Sequence, residues 1–211
     1  FTDGKSILPM LASQDHKPLL DGDKGPNTGG MGAYTPIPFI DDQMEIEINN
    51  NVMIRTIEAL KSEEADYRGV LYGGLMIMKD NKPYVIEFNA RLGDPETQPI
   101  LFKMESDILP ILKSCIEGRL DKSTAIEWRE GVSVCVVLAS RGYPDKTEKG
   151  MIIRGLDDLK GDKDVMVFHA ATKKIGNDFY TAGGRVLGVT AIGKTYRDAL
   201  RKVYDAVSCV K

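Results

Sequence analysis

The segment "YRGVLYGGLMIMKDNKPYVIEFNARLGDPE", residues 67–96, decides the fold. Two runs rich in Val, Ile, Leu, Met and Tyr flank the polar "KDNK" of residues 79–82. Apolar runs around a short polar connection predict an antiparallel hairpin of buried strands. The second run, "KPYVIEFNA", leads into a dense set of polar groups: Glu87, Asn89, Arg91, Asp94 and Glu96. Side chains alternate along a strand, so Glu87 and Asn89 share a face and stand roughly 7 Å apart. One carboxylate and one amide carbonyl are hard oxygen donors, suited to Mg²⁺ held by few protein groups and completed by phosphate oxygens and water. Zinc would demand His or Cys, and this stretch has neither. Arg91 continues the parity as a planar donor for phosphate oxygens, and "GDPE" closes the strand with a turn bearing Asp94 and Glu96. A half-buried strand shows a polar face for structural reasons alone. An arginine and three acids around an amide favour a metal and phosphate site instead.

Upstream lies "SQDHKPLLDGDKGPNTGGMGAYTPIP", residues 13–38, rich in Gly, Pro, Asp and Asn and too irregular for a core element. Gly29, Gly30 and Gly32 fit either a flexible linker or a nest of backbone N–H groups around an anion. The stretch matches neither G-x-G-x-x-G nor the P-loop, whose Lys-Ser/Thr is missing. His16, between Asp15 and Lys17, reads as a general base or as a surface loop residue, and His169, ending an apolar run, as structural. Asp41 or Asp42 caps a helix with Ile46, Met53, Ile57 and Leu60 on one face. At the start, "FTDGKSILPM" carries an Asp-Gly turn with almost no first strand, and at the end the helical pattern runs into "SCVK" without a stop signal. Both ends read as cuts from a longer polypeptide.

Downstream, "SDILPILKSCIEG" predicts a helix capped by Ser106, tolerant of Pro110 in its first turn and stopped by Gly118. The polar "DKSTAIEWREG" places a domain boundary near residue 125. Beyond it, "VSVCVVLA", "MIIRG", "VMVFHAA", "FYTA" and "RVLGVTAI" are short β-rich runs that predict a small sheet or barrel. One helix closes it, with Thr195 and Asp198 as an approximate capping box and Tyr196, Leu200, Val203, Tyr204 and Val207 at helical spacing. The fold class is therefore α+β.

Composition narrows the function classes. The 211 residues are 42% hydrophobic and 28% charged, enough for one substantial core or two modest ones. A net charge of -3 without a basic stripe argues against a nucleic-acid partner and makes any nucleotide a small ligand. No apolar stretch approaches the roughly 20 residues of a membrane helix, so no membrane partner is expected and the default compartment is the cytoplasm. Cys115, Cys135 and Cys209 lack CxxC spacing and read as small buried thiols.

"SQDHKPLLDGDKGPNTGGMGAYTP", then "GVLYGGLMI", "VIEFNARLGDPETQP", "VFHAATK" and "TAGGRVLGVTA" resemble, in that order and over nearly the whole chain, the glycinamide ribonucleotide synthetase family of ATP-grasp ligases. The resemblance implies an ATP-grasp C-terminal subdomain, an antiparallel sheet with helices, over residues 1–125 with the metal and phosphate site. A small β-rich C-terminal domain with one closing helix would follow over residues 126–211. It implies a carboxylate–amine ligase that uses ATP and Mg²⁺ (or Mn²⁺) to join glycine to 5-phosphoribosylamine through glycyl phosphate, in purine biosynthesis. On that mapping Glu87 and Asn89 are metal ligands and Arg91 steadies the transferred phosphoryl or the acyl phosphate. Asp15, His16, Asn27, Thr28, Gly29, Gly30, Met31, Gly32, Asp94 and Glu96 are candidate substrate contacts.

Two departures from the family pattern stand out. "GGLMIM" offers no further acidic metal ligand, and the family's N-terminal substrate domain and ATP-covering subdomain are not represented, so the excerpt alone is expected to be inactive. Ala171 stands where the family pattern has Gly, without evident chemical consequence. Another ATP-grasp ligase would share Glu87, Asn89 and Arg91 but lack the "GPNTGGMGAY" loop. A non-catalytic nucleotide-binding or interaction module would instead present an exposed apolar stripe, which the sequence does not display.

Overall fold

The computed structural model of the chain describes residues 1–120 and 125–211, and the start of the polar stretch taken as an interdomain boundary, residues 121–124, lies outside the described residues. The chain divides into two compact units that alternate along the sequence. One comprises Phe1–Ala12, Ile37–Gly93 and Met104–Trp128, the other Ser13–Pro36, Asp94–Lys103 and Arg129–Lys211. Residues 13–36 and 94–103, expected with the N-terminal domain, thus pack with the β-rich part.

The reason is strand pairing. Within the region read as an irregular loop, Gln14–Asp15 (β1), Pro18–Leu20 (β2), Lys24–Asn27 (β3) and Gly32–Thr35 (β4) are strands. The β4 strand alternates half-buried and buried residues, with Ala33 and Thr35 inward, and pairs antiparallel with Val132–Ala139 (β7). Glycine and proline richness hid this period-two pattern. The resulting five-stranded sheet has the order β1, β4, β7, Arg185–Gly193 (β12), Val165–His169 (β9). Helix α5 (Tyr196–Cys209) packs on it, and Val132, Val134, Val165, Val189, Ala191, Ala199, Val203 and Ala206 form the core. Thr195 caps α5 by accepting from the Asp198 amide at 3.2 Å, as its spacing predicts. Leu200 and Tyr204 are exposed, so the inward face is carried by Ala199, Val203 and Ala206. Of the expected face, Val203 is fully buried and Tyr196 and Val207 pack against the core, while Ala199 and Ala206, small enough to let the helix approach the sheet, take the places expected of Leu200 and Tyr204. A second sheet pairs Thr172–Ile175 (β10), Asp178–Thr181 (β11) and Ile152–Ile153 (β8).

In the other unit, Asp41 caps α1 (Asp42–Ile48) by accepting from the Met44 amide at 2.8 Å. The helix passes through a π-helical stretch, Asn49–Ile54, into α2 (Arg55–Ser62). Ile57 is buried as expected and Met53 and Leu60 are half-buried, while Ile46 is exposed and Met44 and Val52 join the buried face, because the widened turn breaks the regular periodicity. Helix α4 (Ile108–Glu117) is capped by Asp107, not Ser106, whose hydroxyl accepts from the Glu127 amide. Gly118 ends it in the left-handed conformation at φ 67°, as predicted. Phe1, Ile111, Cys115 and Leu120 form a small core.

The hairpin expected over residues 67–90 exists, as Tyr72–Ile77 (β5) against Pro83–Asn89 (β6), but it is not buried. Met76, Met78, Tyr84, Val85, Ile86 and Phe88 are all exposed, Ile86 at 62%. The exposed apolar surface that the sequence did not display is therefore present on this two-stranded sheet. Apolar strand composition reports what a strand is built to touch, and here the described residues leave most of that surface open. Cys115 and Cys135 are buried free thiols, Cys209 is partly exposed, and burial pushes the Cys135 thiol up to about 12. Among the described residues no helix is long and apolar enough to cross a membrane.

Candidate functional site

The register of β5 and β6 shifts between Gly74 and Leu75, because Glu87 pairs with Gly74 while Val85 pairs with Leu75, leaving Ile86 as the extra residue. A bulge re-aims the side chains that follow it. Glu87 and Asn89, both beyond it, stay on one face, opposite Gly74 and Tyr72. A Cβ on Gly74 would lie 3.1 Å from Glu87 Cγ, so glycine leaves room for the acid. Arg91 follows on a bend, its Nη2 donating to Asn89 Oδ1 at 3.3 Å and its Nη1 to the Leu92 carbonyl at 3.0 Å. A carboxylate, an amide oxygen and a guanidinium thus gather at one strand end, as the spacing predicted. Among the described residues no cluster of three His, Cys, Asp or Glu could hold a metal. The carboxylate of Glu87 and the amide oxygen of Asn89 are hard donors that fit Mg²⁺.

The remaining candidates belong to the other compact unit. Asp15, on β1, is 9% exposed at its side chain, with Lys17 Nζ 3.0 Å from Oδ2, while Oδ1 is buried with no hydrogen-bond partner among the described residues. His16 is exposed and held through its backbone, its amide donating to Gly32 O at 2.9 Å and its carbonyl accepting from Met31 at 2.8 Å. Its ring stands 5.7 Å from that of Tyr34. Asn27 is exposed at the end of β3.

The glycine-rich loop is neither slack nor an open nest of N–H groups. The Thr28 amide donates to Lys17 O, Gly29 to the Tyr143 hydroxyl, Gly30 to Thr28 Oγ1 and Met31 to His16 O. Four successive donors are thereby engaged within the protein, which removes them from anion binding in this conformation. Packing demands the glycines. Gly30 has φ 110°, and a Cβ there would fall 2.4 Å from Pro95 Cδ and 2.6 Å from Asp15 Oδ1. At Gly32 a Cβ would fall 2.7 Å from Cys135 O.

Asp94 is clamped from two sides, Oδ1 accepting from Gln98 Nε2 at 2.9 Å and Oδ2 from Arg185 Nη2 at 2.9 Å. Glu96 is buried just before α3 (Thr97–Lys103). Two residues that sequence reasoning missed, Tyr143 and Arg185, hold the loop and the turn. Their signal was faint: a lone tyrosine after "SRG" and an arginine heading an apolar strand, neither spaced as a motif.

Comparisons with known proteins bear on the family and the fold. Residues 1–97 match the ATP-grasp (A) domain of phosphoribosylglycinamide synthetase and residues 133–211 match its C domain. The phosphoribosylamine–glycine ligase of Allochromatium vinosum is 46% identical over 211 residues, covering 100% of this chain and 49% of that protein. The crystal structure of the Thermotoga maritima phosphoribosylamine–glycine ligase superposes with a TM-score of 0.83 at 36% identity, covering 99% of this chain and 50% of that one. The biotin carboxylase domain of Hydrogenobacter thermophilus 2-oxoglutarate carboxylase, solved with MgADP, shares the fold at a TM-score of 0.62 and 15% identity, over 86% of this chain and 39% of that one. The chain spans about half the length of the curated relatives it matches. Its two matched segments together take in most of the sequence, and the chain belongs to the phosphoribosylglycinamide synthetase family, with the α+β fold of ATP-grasp ligases.

Proposed function

We propose that this chain is part of an ATP-dependent ligase that joins glycine to 5-phosphoribosylamine, giving glycinamide ribonucleotide, ADP and phosphate in purine biosynthesis. The observation that carries the reading is the convergence of Glu87, Asn89 and Arg91 at the bulged end of β6. It is supported by the name phosphoribosylamine–glycine ligase borne by the relatives above. In the first step a glycine carboxylate oxygen attacks the γ-phosphorus of ATP, the bond to the bridging oxygen breaks, and ADP leaves. In the second the amine of 5-phosphoribosylamine attacks the carbonyl carbon of glycyl phosphate, the bond to the phosphate oxygen breaks, and the nitrogen loses a proton.

Such chemistry asks for positioning and fixed charge more than for a nucleophilic side chain. Glu87 and Asn89 would hold Mg²⁺ or Mn²⁺, which when bound neutralises phosphate charge. Arg91 presents its guanidinium to the transferred phosphoryl, and its bond to Asn89 Oδ1 orients the two groups together. Asp15, His16, Asn27, Thr28 to Gly32, Asp94 and Glu96 remain the proposed substrate contacts, the glycines acting through the shape of their packed backbone. The proposal keeps a boundary near residue 125, between matched segments that end at residue 97 and begin at residue 133, for all but residues 13–36 and 94–103, which pack with the β-rich unit, and a cytoplasmic setting.

Kinetics on the full-length protein test the reading. Turnover of glycine, 5-phosphoribosylamine and ATP is expected, and Arg91→Ala should lower kcat by about 10²- to 10³-fold with glycine KM within a few fold. If Arg91 only braces the Leu92 carbonyl, the variant shows a lower Tm and a near-normal kcat.

A further inference from the structure

Arg185, the first residue of β12, is 21% exposed at its side chain and spends its guanidinium on two segments distant in sequence. Nη1 donates to the carbonyls of Gly29 at 2.7 Å, Gly30 at 3.3 Å and Asp94 at 2.8 Å, and Nη2 donates to Asp94 Oδ2 at 2.9 Å. A planar fork with donors fixed in direction can bridge such acceptors, whereas an ammonium is a point charge on a flexible stem. The fit is close on the loop side, where a Cβ on Gly29 would lie 3.1 Å from Arg185 Cζ. The Tyr143 hydroxyl takes the Gly29 amide at 3.1 Å, so Gly29 is held through both of its flanking peptides, one by its N–H and the next by its carbonyl. The root of the fork is fixed as well, since the Arg185 carbonyl accepts from the Ala171 amide at 3.0 Å and Arg185 pairs with Ala139 across the sheet.

We propose that Arg185 is a positioning residue that locks the Thr28–Gly32 loop to the Asp94–Glu96 turn and so sets the shape of the substrate pocket they form. The role rests on the reading that these two segments touch substrate. Arg185 is assigned no contact with substrate or with reacting atoms. It acts by fixing two backbone segments whose separate motion would blur every contact they make, and small misplacements in preorganised sites are costly.

The test uses the full-length protein with Arg185→Met and Arg185→Lys, read by steady-state kinetics and by amide hydrogen exchange. Arg185→Met should raise KM for at least one of the three substrates by about tenfold or more while kcat stays within about threefold. Exchange at the Gly29, Gly30 and Met31 amides should speed up by about tenfold with the β7 and β12 amides unchanged. Arg185→Lys should recover part of both effects. Unchanged protection at residues 29–31 overturns the proposal, and so does a uniform fall in kcat that tracks a lowered Tm with every KM unmoved. Should Arg185→Met fail to fold, Arg185→Lys decides alone by the same two readouts. If the wild-type protein shows no ligase turnover, the functional reading fails, and exchange at residues 29–31 still accepts or rejects the lock.

Discussion

Two antiparallel assemblies in this chain treat apolar strands in opposite ways. In the five-stranded sheet, β12 buries eight of its nine residues, from Val186 to Gly193, under α5 and between β7 and β9. In the β5–β6 hairpin, strands of similar composition leave Met76, Tyr84, Val85, Ile86 and Phe88 open. The difference lies in what each segment can pair with and be covered by within this chain, which residue type does not record. It also separates two kinds of work. The covered sheet supplies rigid footing for Arg185, and the open hairpin ends in the polar groups proposed to meet metal and phosphate.

The contrast can be broken most sharply by truncation. Leu187 is 1% exposed, so Leu187→Ala in the 211-residue chain should cost about 2–5 kcal/mol in a denaturant melt, whereas Ile86→Ala should cost no more than about 0.5 kcal/mol. Equal costs would show that the hairpin is as well covered as the sheet. A smaller effect sharpens the same comparison through charge. Asp164 accepts from Lys202 and Arg129, each at 2.8 Å, and these partners, Lys202 foremost, hold its carboxyl below the ordinary 3.8. A depressed folded value stabilises above 3.8 and loses that contribution as pH falls through the folded value. Because the side chain is 42% exposed, solvent screening limits the increment to about 1 kcal/mol or less. Asp164→Asn should therefore melt earlier than wild type at pH 7 and match it in acid well below 3.8. A gap that persists in acid would assign the loss to packing.

Much of this was legible in the sequence, because some signals are local. The hairpin, the caps at Asp41 and Thr195, the stop at Gly118 and the shared face of Glu87 and Asn89 all follow from a few neighbouring residues. What was hidden depends on distant partners. That β4 joins the sheet of the β-rich unit follows from pairing with β7, roughly a hundred residues on, and the period-two pattern of "GAYT" is too short to announce it. The inward face of α5 combines the expected Val203 with Ala199 and Ala206, and alanines carry little hydrophobic signal. The grip on the glycine loop comes from Tyr143 and Arg185, whose chemistry is visible only when the chain has folded. The bulge at Ile86, which aims the candidate ligands, also escapes a plain alternation rule.

The most direct test of the central claim, that the bulged end of β6 holds the cation, is a metal titration of the full-length protein carrying Glu87→Gln. Gln has nearly the same shape and leaves the strand intact while removing the one carboxylate of the proposed pair. The Mg²⁺ concentration for half-maximal ligase activity should rise at least about tenfold, with an unchanged circular dichroism spectrum and Tm. A variant that folds normally and titrates with Mg²⁺ as wild type does would contradict the account.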